Sequence, residues 1–192
     1  MYDGDAGLPV KRAPARKPAG GHPAKNPPAK QKAARRPAAT PPLPAAPRPP
    51  TGSHLFPVSG PFTFGGGASG FGARRNGHTH QGQDIAAAQG TPVVAPRAGV
   101  LEVVRYQASG AGHYVVLDGA GEDRDYVFMH LAAGSIGVHE GQAVTKGALL
   151  GQVGDTGVSS GSHLHFEIWI AGGWYSGGRP IDPLPILLRW AT

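Results

Sequence analysis

Two short segments carry the residue types that could do chemistry. His80-Gln81-Gly82-Gln83-Asp84 and, much later, His163-Leu164-His165 offer imidazole nitrogens and a carboxylate. These are the donors of a catalytic zinc site, in which three protein ligands leave a fourth position for water and the ion acidifies that water. The chain contains no cysteine, which excludes thiolate metal sites and disulfides and leaves His and carboxylate as the strong ligands. Gly82 disfavours helix and lets the backbone bend so that His80 and Asp84 converge. Asp84 brings one negative charge, which leaves such a site cationic overall and a good Lewis acid for a carbonyl. Metal-dependent hydrolysis is the reading these residues support.

Short strands must position them. From Phe56 onward glycine punctuates β-prone runs at 93–94, 99–106, 113–117, 126–131, 143–153 and 163–170, which predicts a mostly β, antiparallel domain. Residues 85–88 read as at most one helical turn, stopped by Gly90 and Pro92, and residues 184–190 as a short turn or an ending strand. In the run 163–170, His163, His165, Glu167 and Trp169 share one face, and Leu164, Phe166, Ile168 and Ile170 the other, which is expected to pack on the core. Paired imidazoles on one face need hydrogen-bond partners and repel when protonated. A metal on one and a proton-transfer task for the other resolves this.

Competing signatures fail on local grammar. His139-Glu140 begins the helical motif H-E-x-x-H, but Ala143 occupies the second His position and Gly141 spoils the helix. Gly157-Val158-Ser159-Ser160-Gly161 matches G-x-S-x-G, yet a strand pattern follows where the nucleophile elbow needs a helix. The glycines at 65–67, 70 and 72 lack the strand, helix and Lys of a nucleotide site. His22, His54 and His139 are assigned to surface or tail, and His78 stands as a minor alternative to His80.

The first 52 residues differ from the rest. They hold ten Lys or Arg against two Asp, a net +8, and thirteen of the twenty prolines; the remainder holds eight basic against ten acidic residues, a net −2. Residues 1–55 are therefore expected to be a disordered Pro/Ala/Lys/Arg-rich tail and 56–192 the folded domain. The tail suits contact with a wall polyanion. Specific nucleic-acid binding is not expected, because no aromatic residue is interleaved with the charges to stack on bases. No apolar stretch approaches transmembrane length and no signal-peptide core is visible.

The order and spacing of several motifs resemble one known family. Phe71-Gly72-Ala73-Arg74, His80-x-Gly82-x-Asp84-Ile85-Ala86, Gly99-Val100, Phe128-Met129-His130-Leu131, Gly141-Gln142-x-Val144-x-Lys146-Gly147, Leu150-Gly151, Gly154-Asp155-Thr156-Gly157, His163-Leu164-His165-Phe166-Glu167 and Asp182-Pro183 look like the lysostaphin-type zinc peptidases, or LytM domains. The resemblance spans roughly the last two-thirds of the chain. It departs at Phe128, where Tyr is often seen, and at Asp155, where Asn or Ser is commoner.

The resemblance implies Zn2+ held by His80, Asp84 and His165. It implies catalytic roles for His130 and His163, with His163 as base and His130 as oxyanion partner. His130 enters only through the family comparison. The implied fold is an antiparallel β-sheet domain of the duplicated hybrid motif, barrel-sandwich-like, with an open groove walled by the glycine-rich loops 65–70 and 157–161. The implied function is an extracytoplasmic, secreted or wall-associated, monomeric metalloendopeptidase acting on peptidoglycan cross-links or stem peptides. The rival is a LytM domain that binds peptidoglycan or activates an amidase without cutting. Every ligand and proton-transfer position is filled here, which favours the enzyme.

Overall fold

The computed structural model describes residues 54–75 and 77–192. The expectation for residues 1–53 falls outside the described residues; His54 and Leu55, assigned to the tail, are tied into the domain. The Leu55 amide donates to Pro96 at 2.9 Å, and the His54 ring stacks on Trp190 with centroids 4.6 Å apart.

The ten strands run in chain order as β1 (Phe62–Phe64), β2 (Gln83–Ala87), β3 (Pro92–Val94), β4 (Gly99–Gln107), β5 (Gly112–Gly119), β6 (Asp125–Leu131), β7 (Ala143–Val144), β8 (Leu149–Gln152), β9 (His163–Ile170) and β10 (Arg179–Ile181), followed by helix α1 (Leu184–Trp190). The main sheet is open and its strands lie in the order β1-β2-β9-β6-β5-β4-β7, with β10 on the edge of β9 beyond the end of β2; β3 and β8 form a second, two-stranded sheet. Every pairing is antiparallel. The expected mostly β, antiparallel architecture is therefore observed.

Two local expectations change and a third is settled between its alternatives. Residues 85–88 do not form a helical turn: Ile85 lies in β2 between two partner strands and is fully buried, so tertiary pairing overrides the helix preference of the Ala run. The single run 143–153 splits into β7 and β8 around Gly147, which adopts φ +83. Residues 184–190 are helical, and Ile186 and Leu187 close one end of the core.

The core explains why β9 is central. Ile85, Leu117, Tyr126, Phe128, Leu164 and Phe166 pack on the face of the main sheet that β3 and β8 cover. The opposite face, which carries His163, His165, Glu167 and Trp169, is covered too: all six inner residues of β9 are buried. There Tyr114, Val116, Val127, Met129 and Trp169 form a second, smaller cluster. A sheet buried on both faces holds its side chains in single rotamers, which suits a floor that must fix ligands. Phe128, the departure noted above, points into the larger core with its ring 5.3 Å from Phe166, where a Tyr hydroxyl would need a buried partner.

Truncating Phe166 tests this dependence. Phe166→Ala should lower unfolding free energy by about 3–5 kcal/mol, whereas Leu149→Ala, on a residue 53% exposed, should change it by no more than about 0.5 kcal/mol. Urea titrations of the two variants decide it, the idea failing if both midpoints move alike.

Candidate metal and catalytic site

Register alone brings the candidate ligands from β2 and β9 together. Asp84 is the cross-strand partner of His165, and His165 faces Met129 on its other side, so Asp84 and His165 point to one face of the sheet. His80 precedes β2 in a small hairpin. Its amide donates to Ala73 at 2.8 Å, its carbonyl accepts from Gly72 at 2.8 Å, and Arg74 bridges to Thr79. The Phe71-to-Arg74 motif thus anchors the segment that carries His80.

The result is a tight convergence. His80 Nε2 lies 2.9 Å from His165 Nδ1, and each nitrogen lies 3.0 Å from Asp84 Oδ1. The other ring nitrogens are already committed. His80 Nδ1 donates to the Gly70 carbonyl at 2.9 Å, and His165 Nε2 donates to Glu167 Oε1 at 3.0 Å. Those acceptors fix both tautomers, so in the neutral rings His80 Nε2 and His165 Nδ1 each carry a lone pair. Two lone pairs and a carboxylate oxygen aimed at one point repel unless a cation lies among them. Burial by itself would raise the Asp84 carboxyl; a hydrogen and a positive charge on the His165 ring, and then on the His80 ring, hold it well below the usual carboxylate range when those rings are protonated, the place a cation would otherwise take. The donors of a tetrahedral zinc lie roughly 3.3 Å apart, so a divalent ion fits this N, N, O set with a small expansion.

Glu167 is the residue sequence reasoning passed over. It shared a face with His163 and His165 in the β9 alternation but received no task. In the structure it is 1% exposed and accepts from both His165 Nε2 and, at 2.6 Å, Trp169 Nε1. Arg75, also passed over, places Nη2 3.3 Å from Asp84 Oδ2, pinning the carboxylate oxygen that does not face the imidazoles. Gly82 serves a different purpose from the one expected. A Cβ there would lie 2.5 Å from the Phe166 carbonyl and 2.8 Å from His165 Nε2, so glycine is needed for close approach. His78 lies outside the convergent cluster.

His130 and His163 stand beside the cluster with ring centroids 4.8 Å apart. His163 Nε2 lies 3.7 Å from Asp84 Oδ1. His130 adopts φ +63, a left-handed conformation that costs about 1–3 kcal/mol for a residue with a side chain. Tyr126 and Phe128 face the larger core and Val127 and Met129 the smaller, so plain alternation would send His130 into the larger core. The left-handed residue breaks the alternation: Leu131 joins the larger core and His130 lines the cleft. Burial, then the neighbouring His165 and His163, push the His130 imidazolium down to about 4, against the Thr156 hydrogen bond, so the ring is neutral near pH 7.

These side chains line a cleft of about 140 Å³. A neighbouring depression of about 220 Å³ is lined by Gly65, Ser69, Ser160, Gly161 and Ser162. The loops expected as groove walls do flank the cluster.

The sequence profile of Peptidase family M23 matches residues 78–183. The chain belongs to peptidase family M23. Among curated M23-like relatives, an uncharacterized metalloprotease of Haemophilus influenzae is 44% identical over 109 residues, 57% of this chain and 21% of that protein. The peptidoglycan DD-endopeptidase ShyA of Vibrio cholerae is 37% identical over 113 residues, 59% of this chain and 24% of that protein. The chain thus spans a quarter or less of these relatives' length. Among solved structures, the catalytic domain of lysostaphin from Staphylococcus simulans superposes with TM-score 0.56 at 29% identity, covering 66% of this chain and 92% of that one. A zinc-containing peptidase from Vibrio cholerae superposes with TM-score 0.56 at 30% identity, over 68% of this chain and 39% of that one. The M23 fold is therefore what places His80, Asp84 and His165 around one point.

Glu167→Gln isolates the support under His165. A glutamine has one acceptor oxygen for two N–H donors, so either His165 or Trp169 loses its partner. Zinc affinity, read by competition with a chromophoric chelator, should fall about 10–100-fold with the circular dichroism spectrum retained. Unchanged affinity would show that Glu167 does not orient the ligand.

Proposed function

We propose that this M23 domain is a zinc-dependent endopeptidase that hydrolyses peptide bonds in the cross-links or stem peptides of bacterial peptidoglycan, working outside the cytoplasm. The observation that carries this reading is the convergence of His80 Nε2, Asp84 Oδ1 and His165 Nδ1 within 3.0 Å, with His130 and His163 lining the same cleft outside that cluster. The peptidoglycan endopeptidase named among the relatives supports the choice of substrate. The working unit is residues 56–192 together with the two residues before it, and the basic segment before that supplies contact with wall polyanions.

His80, Asp84 and His165 would hold the ion. When bound, it supplies Lewis acidity, polarising a carbonyl and acidifying water. The chain's own residues do the rest. His163 presents Nε2 to the cleft, accepts the proton of the attacking water there and returns it to the leaving amine nitrogen. His130, on the other side, takes a second proton at Nε2 from solvent as negative charge develops on the carbonyl oxygen, and donates that hydrogen to it. Arg75 keeps Asp84 Oδ2 occupied, which leaves Oδ1 for the ion. The Gly and Ser walls around Gly65, Ser69 and Gly161 admit a narrow extended peptide and leave little room for bulky side chains.

Mass spectrometry of fragments released from purified peptidoglycan checks the proposal. Zinc-loaded protein should release peptides with a new amine end, and a chelator should stop this. His163→Ala should retain stoichiometric zinc and lose about 10²–10⁴-fold in rate, while His165→Ala should lose the zinc as well. If zinc-loaded protein binds peptidoglycan yet releases nothing, the non-cutting LytM reading takes its place.

A further inference from the structure

The loop of residues 154–162 contacts the two cleft histidines outside the ligand cluster, His130 and His163, in each case through a backbone carbonyl. His130 Nδ1 lies 2.8 Å from the Thr156 carbonyl oxygen, and His163 Nδ1 lies 2.7 Å from the Gly161 carbonyl oxygen. A carbonyl oxygen only accepts, so each Nδ1 carries the proton. Ser159 sharpens the second case. Its Oγ donates to the same Gly161 carbonyl at 2.7 Å, accepts the Gly161 amide at 3.3 Å, and lies 3.3 Å from His163 Nδ1. With its hydrogen spent on Gly161, Ser159 Oγ offers only lone pairs to the ring. Both neighbours of His163 Nδ1 therefore demand a hydrogen from it.

Thr156 has a matching grip. Its hydroxyl donates to the Leu131 carbonyl at 2.7 Å and accepts the His113 amide at 2.9 Å, which ties the loop to the ends of β5 and β6. Gly112 fits against it: a Cβ at this φ +63 residue would meet the Thr156 carbonyl oxygen at 2.3 Å.

We infer that residues 154–162 act as a tautomer clamp, holding His130 and His163 as Nδ1–H with Nε2 as a bare acceptor toward the cleft, and that Ser159 is the positioning residue for His163. This rests on the reading of these two histidines as the proton-handling pair. Its consequence is an order of events. Neither neutral ring has an N–H to give to the cleft, so the first proton moved must come off water. It enters at His163 Nε2, breaking one O–H bond, and leaves from the same atom to the amine nitrogen, while the Nδ1–H bond to Gly161 persists throughout. A hydrogen bond from His130 to the carbonyl oxygen likewise has to wait until solvent has delivered a proton to His130 Nε2, because the water proton taken by His163 goes to the amine.

Histidine ¹⁵N spectra of the full-length, zinc-loaded protein test this directly, with signals assigned by their loss in His130→Gln and His163→Gln. Above the imidazole titration range, both rings should show the lone-pair shift on Nε2 and the bonded proton on Nδ1. Ser159→Ala leaves the Gly161 carbonyl as the one acceptor at His163 Nδ1 and frees it from the Ser159 hydroxyl, so it should raise the Nε2–H population of His163 measurably, leave His130 unchanged, and lower kcat about five- to tenfold at a KM within about twofold, the worth of one ordinary hydrogen bond. Ser159→Thr, which keeps the hydroxyl, should restore both readouts. A wild-type Nε2–H tautomer at either ring overturns the clamp. An unaltered His163 pattern in Ser159→Ala overturns the role of Ser159. Should the protein cut no peptidoglycan, the spectra still decide the clamp, and only the proposed function falls.

Discussion

With both rings neutral, two imidazole lone pairs and a carboxylate oxygen held within 3.0 Å of one another form an arrangement that needs constraint from its surroundings. Each of the three repels the other two, and each would relax if its surroundings allowed. Gly70 and Glu167 hold the far sides of the two rings, and Arg75 holds the far side of the carboxylate. The backbone positions come from the β2–β9 register and the hairpin before β2. The repulsion stored there is relieved by a cation, so ion binding and folding share free energy. A bound ion would therefore stabilise the sheet by tying β2 to its neighbour β9.

This constraint accounts for the burial of both sheet faces. Ligands on a solvated sheet face would be free to change rotamer, and a site loose by one ångström loses most of its value. The second cluster of Tyr114, Val116, Val127, Met129 and Trp169 prevents that, and it also shields Glu167 so that its hydrogen bonds to His165 and Trp169 form in a medium of low dielectric, where they are strong. The cost is a buried carboxylate, which is stable only because two N–H donors converge on it.

How much of this was legible follows from the periodicities involved. The β9 alternation set His163, His165 and Glu167 on one face, and this was readable because a strand repeats every two residues. The spacing of His80 and Asp84 suggested convergence, but the reason lay elsewhere, in the closeness of Gly82 to the His165 ring, a contact between residues far apart in sequence. β2 hid behind an Ala-rich run whose local preference is helical, because its strand character comes from pairing with β1 and β9. His130 could not be found by pattern at all. Its left-handed backbone departs from the alternation that pattern reading assumes, and only the family resemblance singled it out. Glu167 left a usable signal: an acid two residues from a ligand His, on the same face of a buried strand, has few tasks other than orienting that ring.

The polar groups of the cleft argue for a division of labour within this domain. The Arg75 guanidinium points at Asp84 rather than standing apart for substrate, and the adjoining walls at Gly65, Ser69, Ser160, Gly161 and Ser162 are small and uncharged. Such a cleft, in the proposed enzyme, would grip an extended backbone through shape and hydrogen bonds, with little means of telling one charged side chain from another. In the proposed enzyme the catalytic floor would thus set the reaction, while the choice of bond falls to whatever surrounds it. The relatives leave room for that division, since this chain covers a quarter or less of their length.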